Sequence, residues 1–579
     1  MNCSTTSQAR PPSTQRAVLA ALATSPLAAC GGGGGAGSSA QGTAVAPSSA
    51  AFAYPSAGSD AEAARFLLQA QLSASDAEIA AVRAQGFGPW LQAQCTQPVG
   101  PTGWDWLESK GYGEVYNPAN YYDSKTPGDH MVWNQLMTAP DAPRKRMALA
   151  LSEIFVVSLN GLDFSWRSHA AAHYWDTLCA HAFGNYRELL EAVTLNVAMG
   201  YYLNTKGNKK ADGRGSQPDE NYAREVMQLF TIGLVELLPD GTPRMVDGRP
   251  VDSYTSADVS SLAQVFTGYD LDHSQTVYTV IPQTGGGTRR IPSTHYVRRP
   301  LVQVGNNHSQ VVPVVFGVTL PTDPANGLKA ALDTLFNHAN TAPFVCKQLI
   351  QRLVTSNPSP AYVRRVANVF SNNGAGVRGD LAAVYRAILQ DDEARAPWGL
   401  GASAFGKLRE PMLRLVQWGR TFGLASASGD WKMNDMSNPG SQLGQSPLRS
   451  PSVFNFFRPG YVPPASALVA GAVAPEFQLV NETSVAGYIN CMQGFISGGI
   501  ASGDMKASYV QELPLASSAQ ALVDRLNLLL CANQLSASNR DLIANAVQAM
   551  PSGTEARSRN RVYAAVLMVM SAPEYLVQK

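Results

Sequence analysis

The residues with the greatest potential for chemistry lie close together in residues 218–234, PDENYAREVMQLFTIGL. Glu220, Arg224 and Glu225 combine two carboxylates with a guanidinium. A carboxylate can transfer a proton or bind a ligand, and a guanidinium binds anionic or carbonyl groups. Asn221 and Gln228 add amides that both donate and accept hydrogen bonds. We therefore consider Glu220, Arg224 and Glu225 as candidate catalytic residues and the two amides as candidate binding residues.

A helix is needed to bring these side chains together. Asp219 is a suitable N-cap residue, because its side chain can accept hydrogen bonds from the free N–H groups of a first turn. Gly233 suits the position just after a helix, where a left-handed backbone is common. The sequence thus predicts a helix over residues 220–232. At 100° per residue its polar side chains form one stripe, Asn221, Arg224, Glu225 and Gln228, opposite the apolar Tyr222, Val226, Leu229 and Phe230.

The same side chains have a structural interpretation, which the sequence leaves open. Glu220 and Arg224 are four residues apart, as are Asn221 and Glu225, so each pair can meet on the helix surface. Exposed pairs of this kind stabilise a helix by roughly 0.2–0.5 kcal/mol each. A guanidinium also lowers the pKa of a neighbouring carboxyl, which favours binding over proton transfer near neutral pH. The motif is therefore either a catalytic surface or a helix braced by its own side chains.

Histidines form the second group of candidates. His308, in the predicted loop GNNHSQ, is a candidate binding residue. His169, His173 and His181 are separated by 4 and 8 residues. On a helix the first two would lie about 40° apart, close enough for a metal pair. The HExxH motif does not occur in the sequence, so packed or solvated histidines are favoured and neither a metal nor a cofactor is predicted.

Motifs for other chemistries are absent from the sequence. It has no GxSxG nucleophile elbow, and GGGTRR lacks the GK[ST] of a P-loop. One aromatic run, SVFNFFRPGYVPP at residues 452–464, could stack on sugar rings, although such a run is more typical of core packing. The sequence therefore identifies no reaction.

The N-terminus resembles an export signal. Arg10 and Arg16 precede a short apolar segment at residues 17–29, which is too short to span a bilayer. The segment ends in LAAC before five glycines, which resembles the lipobox of bacterial lipoproteins. We predict a signal peptide over residues 1–30 with lipidation at Cys30, the alternative being a plain secretory signal. In a Gram-negative cell the lipoprotein would be sorted to the outer membrane and face the periplasm; otherwise the chain would be secreted or periplasmic.

Composition and periodicity indicate one large helical body. Hydrophobic residues make up 45% of the 579 residues, which is typical of a globular chain. The 44 basic and 43 acidic residues nearly cancel, so nothing favours nucleic acid as a partner. Residues 31–59 are mainly Gly, Ala, Ser and Pro and predict a flexible tether. Helical periodicity then runs over residues 60–579, which predicts a single large domain with room for two lobes.

The exception to this helical pattern is a segment of about residues 235–320. It contains β-branched and aromatic runs broken by Asp-Gly and Gly-Gly-Gly turns, which predict hairpins. The βαβ alternation of Rossmann and TIM-barrel folds is missing. The predicted fold class is mainly α, a large irregular multi-helix domain with a small β-hairpin insertion.

Five blocks of sequence resemble consecutive blocks of one bacterial family. They are FGNYRELLEAVTLNVAMGYYLN, PDENYAREVMQLFTIGL, ADVSSLAQVFTGYD, APFVCKQLIQRLVTSNPSPAYVRRVANVF and SPSVFNFFRPGYVPP. Their order is that of the family called domain of unknown function 1800, and the resemblance runs from about residue 61 to the C-terminus. It implies an exported, mainly helical protein. Members are often encoded beside a second exported family, the sulfatase-like domain of unknown function 1501, which implies a candidate partner.

The chain departs from a common form of the family's core motif, which resembles N-E-N-Y-A-R-E-L-M-E-L-H-T-L-G. Gln228 stands where many members have Glu, and Phe230 stands where many have His. Asn196 likewise replaces a His often found before AMLYYL. The resemblance implies that a Glu and His metal site would be plausible on this helix in other members. This chain lacks two of those candidate ligands, so a metal is not expected here.

Two functions follow as expectations. In the first, the chain is an exported, lipid-tethered protein that acts on or binds a cell-envelope polymer, with residues 218–234 at its site. In the second, it is a non-catalytic binding or assembly partner of a co-exported sulfatase-like protein. The sequence leaves open whether the chain is an enzyme.

Overall fold

The chain is mainly α-helical, as the apolar periodicity predicts. The structure, a computed structural model, describes residues 52–283, 286–468 and 471–579. The predicted signal segment 1–30, its Cys30 and most of the 31–59 tether lie outside these residues. The α-helices within them are α1 Asp60–Ala70, α2 Asp76–Gln85, α3 Phe87–Thr96, α4 Gly103–Ser109, α5 Thr126–Thr138, α6 Ala142–Ser152, α7 Arg167–His181, α8 Tyr186–Thr194, α9 Val197–Tyr202, α10 Asn221–Glu225, α11 Ser256–Val265, α12 Pro324–Asn337, α13 Thr341–Leu353, α14 Pro360–Ser371, α15 Leu381–Gln390, α16 Asp392–Arg395, α17 Trp398–Gly401, α18 Pro411–Thr421, α19 Glu482–Gly498, α20 Ala519–Cys531, α21 Ala537–Ala549, α22 Glu555–Ser571 and α23 Pro573–Leu576.

Shorter helical turns and strands connect these helices. A π-helix spans Val226–Thr231, and 3₁₀ turns span Tyr121–Asp123, Leu159–Gly161, Thr294–Arg298, Gly305–Asn307, Pro475–Leu479 and Leu513–Ser517. The strands are β1 Met245–Val246, β2 Arg249–Pro250, β3 Tyr269–Asp270, β4 Tyr278–Pro282, β5 Thr288–Pro292, β6 Val302–Gln303, β7 Val314–Val315, β8 Val318–Thr319, β9 Lys407–Leu408, β10 Ala425–Ser426, β11 Met505–Lys506 and β12 Val577–Gln578. Within the described residues they form two-stranded antiparallel sheets.

The predicted hairpin insertion is confirmed. Strands β1 to β8 all fall between residues 245 and 319, inside the predicted segment of about 235–320. The β4–β5 hairpin is the longest of them and pairs five residues of each strand. The insertion also contains one helix, α11, whose start is closed by a capping box between Thr255 and Asp258. The fold class is therefore the predicted one, mainly α with small hairpins.

One predicted helix is interrupted. Periodicity indicates a continuous helix over residues 185–203, whereas the chain forms α8 and α9 with a break at Leu195 and Asn196. The break occurs because Asn196 acts as an N-cap, its Oδ1 accepting a hydrogen bond from the N–H of Ala198 at 2.9 Å. Asn side chains compete with helix continuation in this way. Asn196 is thereby held between α8 and α9.

A single apolar core joins the helices. Helix α7 lies at its centre and packs against α4, α5, α6 and α8. The last residues of the predicted tether also contact this body, since Ala53 N–H donates to Asp392 Oδ1 and Phe87 N–H donates to the carbonyl of Pro55. Among the helices in the described part of the chain, none combines the length and apolar character needed to cross a bilayer.

Candidate functional site

The motif helix, Asn221–Thr231, begins and ends one residue inside the predicted bounds of 220–232, with Glu220 at the N-cap position. Oδ1 of Asp219 accepts a hydrogen bond from the N–H of Asn221 at 2.7 Å. Asp219 is itself held by Asn204, whose Nδ2 donates to its other carboxylate oxygen at 3.2 Å. At the far end Gly233 has a φ of +73°, and a Cβ there would lie 2.7 Å from the Phe344 ring. Only glycine fits both the left-handed backbone and this close approach.

The second half of the motif helix is a π-helix, which the sequence does not predict. The N–H of Ile232 reaches back five residues to the carbonyl of Met227 at 2.9 Å. The Thr231 hydroxyl donates to the carbonyl of Val226 at 2.6 Å and occupies an acceptor in the widened turn. Single π-helical turns occur frequently at functional sites. The polar stripe was predicted at 100° per residue, and the wider π-turn shifts the residues at the end of the helix away from that spacing.

Glu225 is buried, and one oxygen of its carboxylate has no hydrogen-bond partner among the described residues. The residue is 8% exposed, and among the described residues no side chain or backbone group donates a hydrogen bond to Oε2. Burial raises the pKa of Glu225 to about 7, although the Arg224 guanidinium acts in the opposite direction. The predicted pairing with Asn221 does not form a hydrogen bond in the described part of the chain. Glu225 is therefore a buried acid that changes protonation near neutral pH, an unusual property for a surface brace.

The other two candidate catalytic residues lie at the surface. Arg224 and Glu220 form an i,i+4 ion pair with 3.1 Å between Nη2 and Oε2, and both side chains are more than 40% exposed. The Ser260 hydroxyl on α11 also donates to Glu220, which ties α10 to α11. Exposed pairs of this type contribute little to stability. The structure thus separates the predicted triad into an exposed pair and a buried carboxylate.

His308 is buried and contacts backbone groups. Its Nδ1 lies 2.8 Å from the carbonyl of Thr267, and its Nε2 lies 3.2 Å from the carbonyl of Thr322. The ring is 3% exposed and joins the end of α11 to the segment before α12. This position fastens the β insertion to the helical body and lies apart from the motif helix residues.

A groove lies at the π-helical end of the motif helix, and we call it the motif groove. It has a volume of about 680 Å³ and three walls. The motif helix and the turn after it contribute Gln228, Leu229, Gly233 and Leu234. Helix α13 and the loop after it contribute Phe344, Lys347, Gln348, Gln351, Ser356, Asn357 and Pro358. The loop after α18 contributes Phe454, Arg458, Pro459 and Gly460.

The aromatic run 452–464 divides between core and groove. Phe457 is 1% exposed and packs inside, with the Arg352 guanidinium 4.6 Å from its ring centroid. Phe454 faces the motif groove, with the Arg458 guanidinium 5.2 Å from its ring. Asn357 holds the opposite lip, because its side-chain amide exchanges two hydrogen bonds of 2.8 and 2.9 Å with the backbone of Val473. Core packing, the more typical role of such a run, is thus seen at Phe457, whereas Phe454 lines the groove.

The chemical character of the motif groove is apolar and amide-rich, with a positive bias. Gln228, Gln348 and Gln351 contribute side-chain amides to the lining, and Phe344 and Phe454 contribute aromatic rings. Lys347 and Arg458 are the charged residues among its lining side chains in the described part of the chain. Burial lowers the pKa of Lys347, with Asp240 opposing that shift. A few placed polar groups in an apolar cleft of this size are typical of a ligand site.

A cluster of buried charges lies directly beneath the motif groove. It consists of Glu153, Arg352, Lys407, Glu410 and Glu476, and we call it the buried charge cluster. Lys407 Nζ lies 3.1 Å from Glu476 Oε1 and 3.4 Å from Glu410 Oε1, and Lys407 is completely shielded from solvent. Arg352 Nε lies 3.0 Å from Glu153 Oε2, without the alignment of a hydrogen bond. Charges removed from water to this extent are costly unless each is paired.

The two carboxyls Glu153 and Glu410 of the buried charge cluster have pKa values shifted in opposite directions. Burial raises the pKa of Glu153 well above its usual range, and the nearby Glu410 carboxylate adds to the shift. Burial acts on Glu410 in the same direction, but Lys407 and Arg352 outweigh it and hold the pKa of Glu410 below its ordinary value. The two carboxyls are thus shifted in opposite directions, Glu153 towards its protonated form and Glu410 towards its ionised form. Perturbed carboxyls of this kind are found preferentially at functional sites.

The three candidate histidines lie on one helix but do not converge. His169 is 1% exposed, with its Nε2 3.3 Å from Glu108 Oε1. His173 and His181 line a separate cavity of about 720 Å³ between α7 and α8, together with Asn196 and Arg298. Burial lowers the pKa of His173 to about 4, with Arg298 acting in the same direction. Within the described residues no set of three His, Cys, Asp or Glu side chains is arranged to hold a metal ion.

The structure brings together one predicted binding residue and several residues that the sequence did not identify. Gln228 lines the motif groove, whereas Glu220, Arg224, Glu225 and His308 are not among its lining residues. Of the residues that the sequence did not identify, those on α13 and in the loop after it lie more than a hundred positions from Gln228. One sequence feature could have indicated the buried charge cluster. The segment GKLREP, at residues 406–411, has several charged residues directly before an apolar helix.

The fold and the groove define a large, irregular α-helical protein whose groove is assembled from distant segments. A protein-family model described as "Protein of unknown function (DUF1800)" matches residues 65–577. The chain belongs to this family. No curated protein and no solved structure matches the chain.

Proposed function

We propose that this chain is an exported, lipid-tethered protein that binds an extended glycan strand of the cell envelope in the motif groove. The observation that carries this proposal is the convergence of three separate blocks on one groove. The blocks PDENYAREVMQLFTIGL, APFVCKQLIQRLVTSNPSPAYVRRVANVF and SPSVFNFFRPGYVPP each supply lining residues. The tether would begin at Cys30 in the LAAC motif and extend through the Gly-rich segment that follows it.

The lining chemistry favours a glycan over an apolar ligand. Sugar rings present C–H faces that pack on aromatic rings, here Phe344 and Phe454. Their hydroxyl edges donate and accept hydrogen bonds, as the amides of Gln228, Gln348 and Gln351 also do. No acidic side chain is among the described lining residues, so a neutral or anionic strand fits the charge of the groove.

Replacing Phe454 with alanine tests this proposal. We expect the dissociation constant for soluble oligosaccharides released from peptidoglycan glycan strands to rise at least about ten-fold, because a stacking surface of roughly 1.4 kcal/mol is lost. Isothermal titration calorimetry on the mature chain measures this change. Tyr116→Ala is the matched control, since Tyr116 is 77% exposed and is not a groove residue.

The outcomes of this titration separate clearly. Loss of affinity in Phe454→Ala with unchanged affinity in Tyr116→Ala supports a glycan site in the motif groove. The absence of measurable binding by the wild-type chain, or an equal loss in both variants, contradicts it.

A protein partner is the second candidate, and an exposed apolar hairpin favours it. Val311, Val312, Val314 and Val318 lie in or beside the β7–β8 hairpin and are between 47% and 61% exposed. Apolar surface concentrated in this way is typical of an interaction site. We propose that a co-exported sulfatase-like protein would dock there, with the chain acting as its assembly factor. Co-purification from the native host followed by mass spectrometry tests this.

A further inference from the structure

A serine hydroxyl at the floor of the motif groove connects the groove to the buried charge cluster. Ser356 follows the end of α13 and is among the groove residues, although it is only 4% exposed. Its hydroxyl donates to Glu476 Oε2 at 3.3 Å. Its backbone N–H donates to the carbonyl of Gly406 at 2.9 Å, which fixes the position of the side chain. A groove residue is thus bonded directly to a buried carboxylate.

Glu476 is positioned from behind by a buried lysine. Lys407 Nζ lies 3.1 Å from the carboxylate oxygen that does not face Ser356. Lys407 is in turn fixed by Glu410 and by the carbonyl of Arg352, to which its ammonium group donates at 2.8 Å. Glu410 accepts a further hydrogen bond from Gln445 at 2.7 Å. The order serine, carboxylate, cation resembles a nucleophile, its base and a group that orients the base.

We propose that Ser356 is a nucleophile and Glu476 is its general base, and that together they hydrolyse an O-acyl ester carried by the polymer in the motif groove. This inference rests on the proposed function, because the groove delivers the substrate. It adds a reaction to what is otherwise a binding site. An ester is the appropriate carbonyl, since a carboxylate is a weak base and an alkoxide is a better leaving group than an amide anion.

The reaction has two balanced halves. In the first, Glu476 takes the hydroxyl proton as Ser356 Oγ bonds to the carbonyl carbon and the carbonyl π electrons move to oxygen. The intermediate then collapses, the ester C–O bond breaks, and the departing alkoxide receives the proton from Glu476. In the second half, a water molecule adds to the acyl-serine and gives its proton to Glu476. The Ser356 Oγ–C bond breaks, Oγ recovers the proton, and a free carboxylic acid is released.

A backbone group beside Ser356 is suited to stabilise the negative oxygen. The N–H of Asn357 follows the nucleophile in sequence and has no hydrogen-bond acceptor among the described residues. The Asn357 side chain is bonded twice to Val473, so the orientation of this peptide group is fixed. The N–H of the residue after a nucleophile serves as an oxyanion donor in other acyl-transfer sites.

The chain offers a matched control three residues away. The Ser359 hydroxyl also donates to a carboxylate, Glu393 Oε2, but it serves as the N-cap of α14 and accepts from the N–H of Tyr362 at 3.1 Å. Ser359 is not a groove residue, and Glu393 has no lysine or arginine within 4 Å in the described part of the chain. If a Ser–Glu hydrogen bond alone produced reactivity, Ser359 would react as well.

Covalent labelling tests the proposal on the full mature chain. We expect an alkyl fluorophosphonate to form one adduct, located on Ser356 by peptide mass spectrometry. Glu476→Gln is expected to slow labelling at least a hundred-fold. Its melting temperature should stay within a few degrees of the wild-type value, because Lys407 remains paired with Glu410. Ser359→Ala is expected to be labelled on Ser356 at the wild-type rate. Hydrolysis of p-nitrophenyl acetate should follow the same order.

Several results would overturn the proposal. If the wild-type chain forms no adduct at Ser356, the proposal is contradicted whatever the variants do. Equal labelling rates in wild type and Glu476→Gln, or labelling of Ser359 at the same rate, also contradict it. Oligosaccharide binding is measured on the same samples. Glycan binding without labelling at Ser356 would contradict the proposed reaction but would still support the proposed binding function.

Discussion

Lys407→Met is expected to lower the free energy of unfolding by about 3–5 kcal/mol, the range observed when one partner of a buried ion pair is removed. Methionine is unbranched and one atom shorter than lysine, and it leaves the Glu410 and Glu476 carboxylates without their shared cation in a site closed to water. It also removes the donor to the Arg352 carbonyl. The buried charge cluster would then hold ionised or newly protonated carboxyls without adequate partners.

Denaturant unfolding at pH 7.5, monitored by circular dichroism, measures this loss. Lys432→Met is the control, because Lys432 also forms an ion pair, with Asp430 at 2.8 Å, but lies at the surface. We expect the control to have almost the wild-type midpoint. A Lys407→Met protein as stable as its control would show that the cluster is hydrated or paired differently from the arrangement described above.

Glu225→Gln is expected to remove a pH dependence of stability. The pKa of Glu225 is about 7 in the folded chain, against an ordinary value of 4.5, so the folded state binds more protons than the unfolded state between these values. The free energy of unfolding of the wild type therefore falls as the pH rises from about 4.5, and the loss is complete above about 7. A shift of this size corresponds to roughly 3 kcal/mol. Glutamine does not ionise and lacks this contribution.

The difference between variants isolates Glu225 from other titrating groups. Burial also raises the pKa values of Asp129 and Asp176 to about 6, but these groups are common to every variant. We expect Glu225→Gln to be more stable than wild type at pH 8 and to lose this advantage at pH 4.5. Glu220→Gln, at an exposed position of the same helix, should keep the wild-type pH profile. Parallel profiles for wild type and Glu225→Gln would mean that the carboxyl is solvated.

The ends of the motif helix could be predicted because they depend on local chemistry. Asp219 and Gly233 act within a few residues of themselves, through a cap and a left-handed backbone. The π-turn between them could not be predicted. It depends on a chain of tertiary contacts, such as the Tyr186 hydroxyl bonded to the Phe230 carbonyl and the Phe344 ring against Gly233. These contacts involve residues more than forty positions away.

A helical-wheel argument also could not predict that Glu225 is buried. The polar stripe treats every polar side chain as facing water, but only Arg224 of the adjacent pair does so. Lys407 and Glu410 are a similar case, since both are charged residues in GKLREP and both are buried. Their burial follows from the β9–β12 pairing, which brings residues 407–408 against the last residues of the chain.

The motif groove, like the burial of Glu225, could not be predicted from the sequence alone. The sequence identified the motif helix and the aromatic run 452–464 separately, and both contribute to the groove. Their proximity depends on α13, whose Phe344 and Gln348 lie between them and whose Gln348 side chain reaches the Leu229 carbonyl at 3.5 Å. Long-range packing of this kind leaves no periodic signal in a single sequence.

The most direct test of the groove as a binding site is a crystal structure of the mature chain with a bound peptidoglycan-derived oligosaccharide. We predict density for sugar rings between Phe344 and Phe454, with hydroxyl groups within hydrogen-bonding distance of the Gln228 or Gln351 amides. Density at another surface, such as the cavity between α7 and α8, with an empty motif groove would contradict the proposed function.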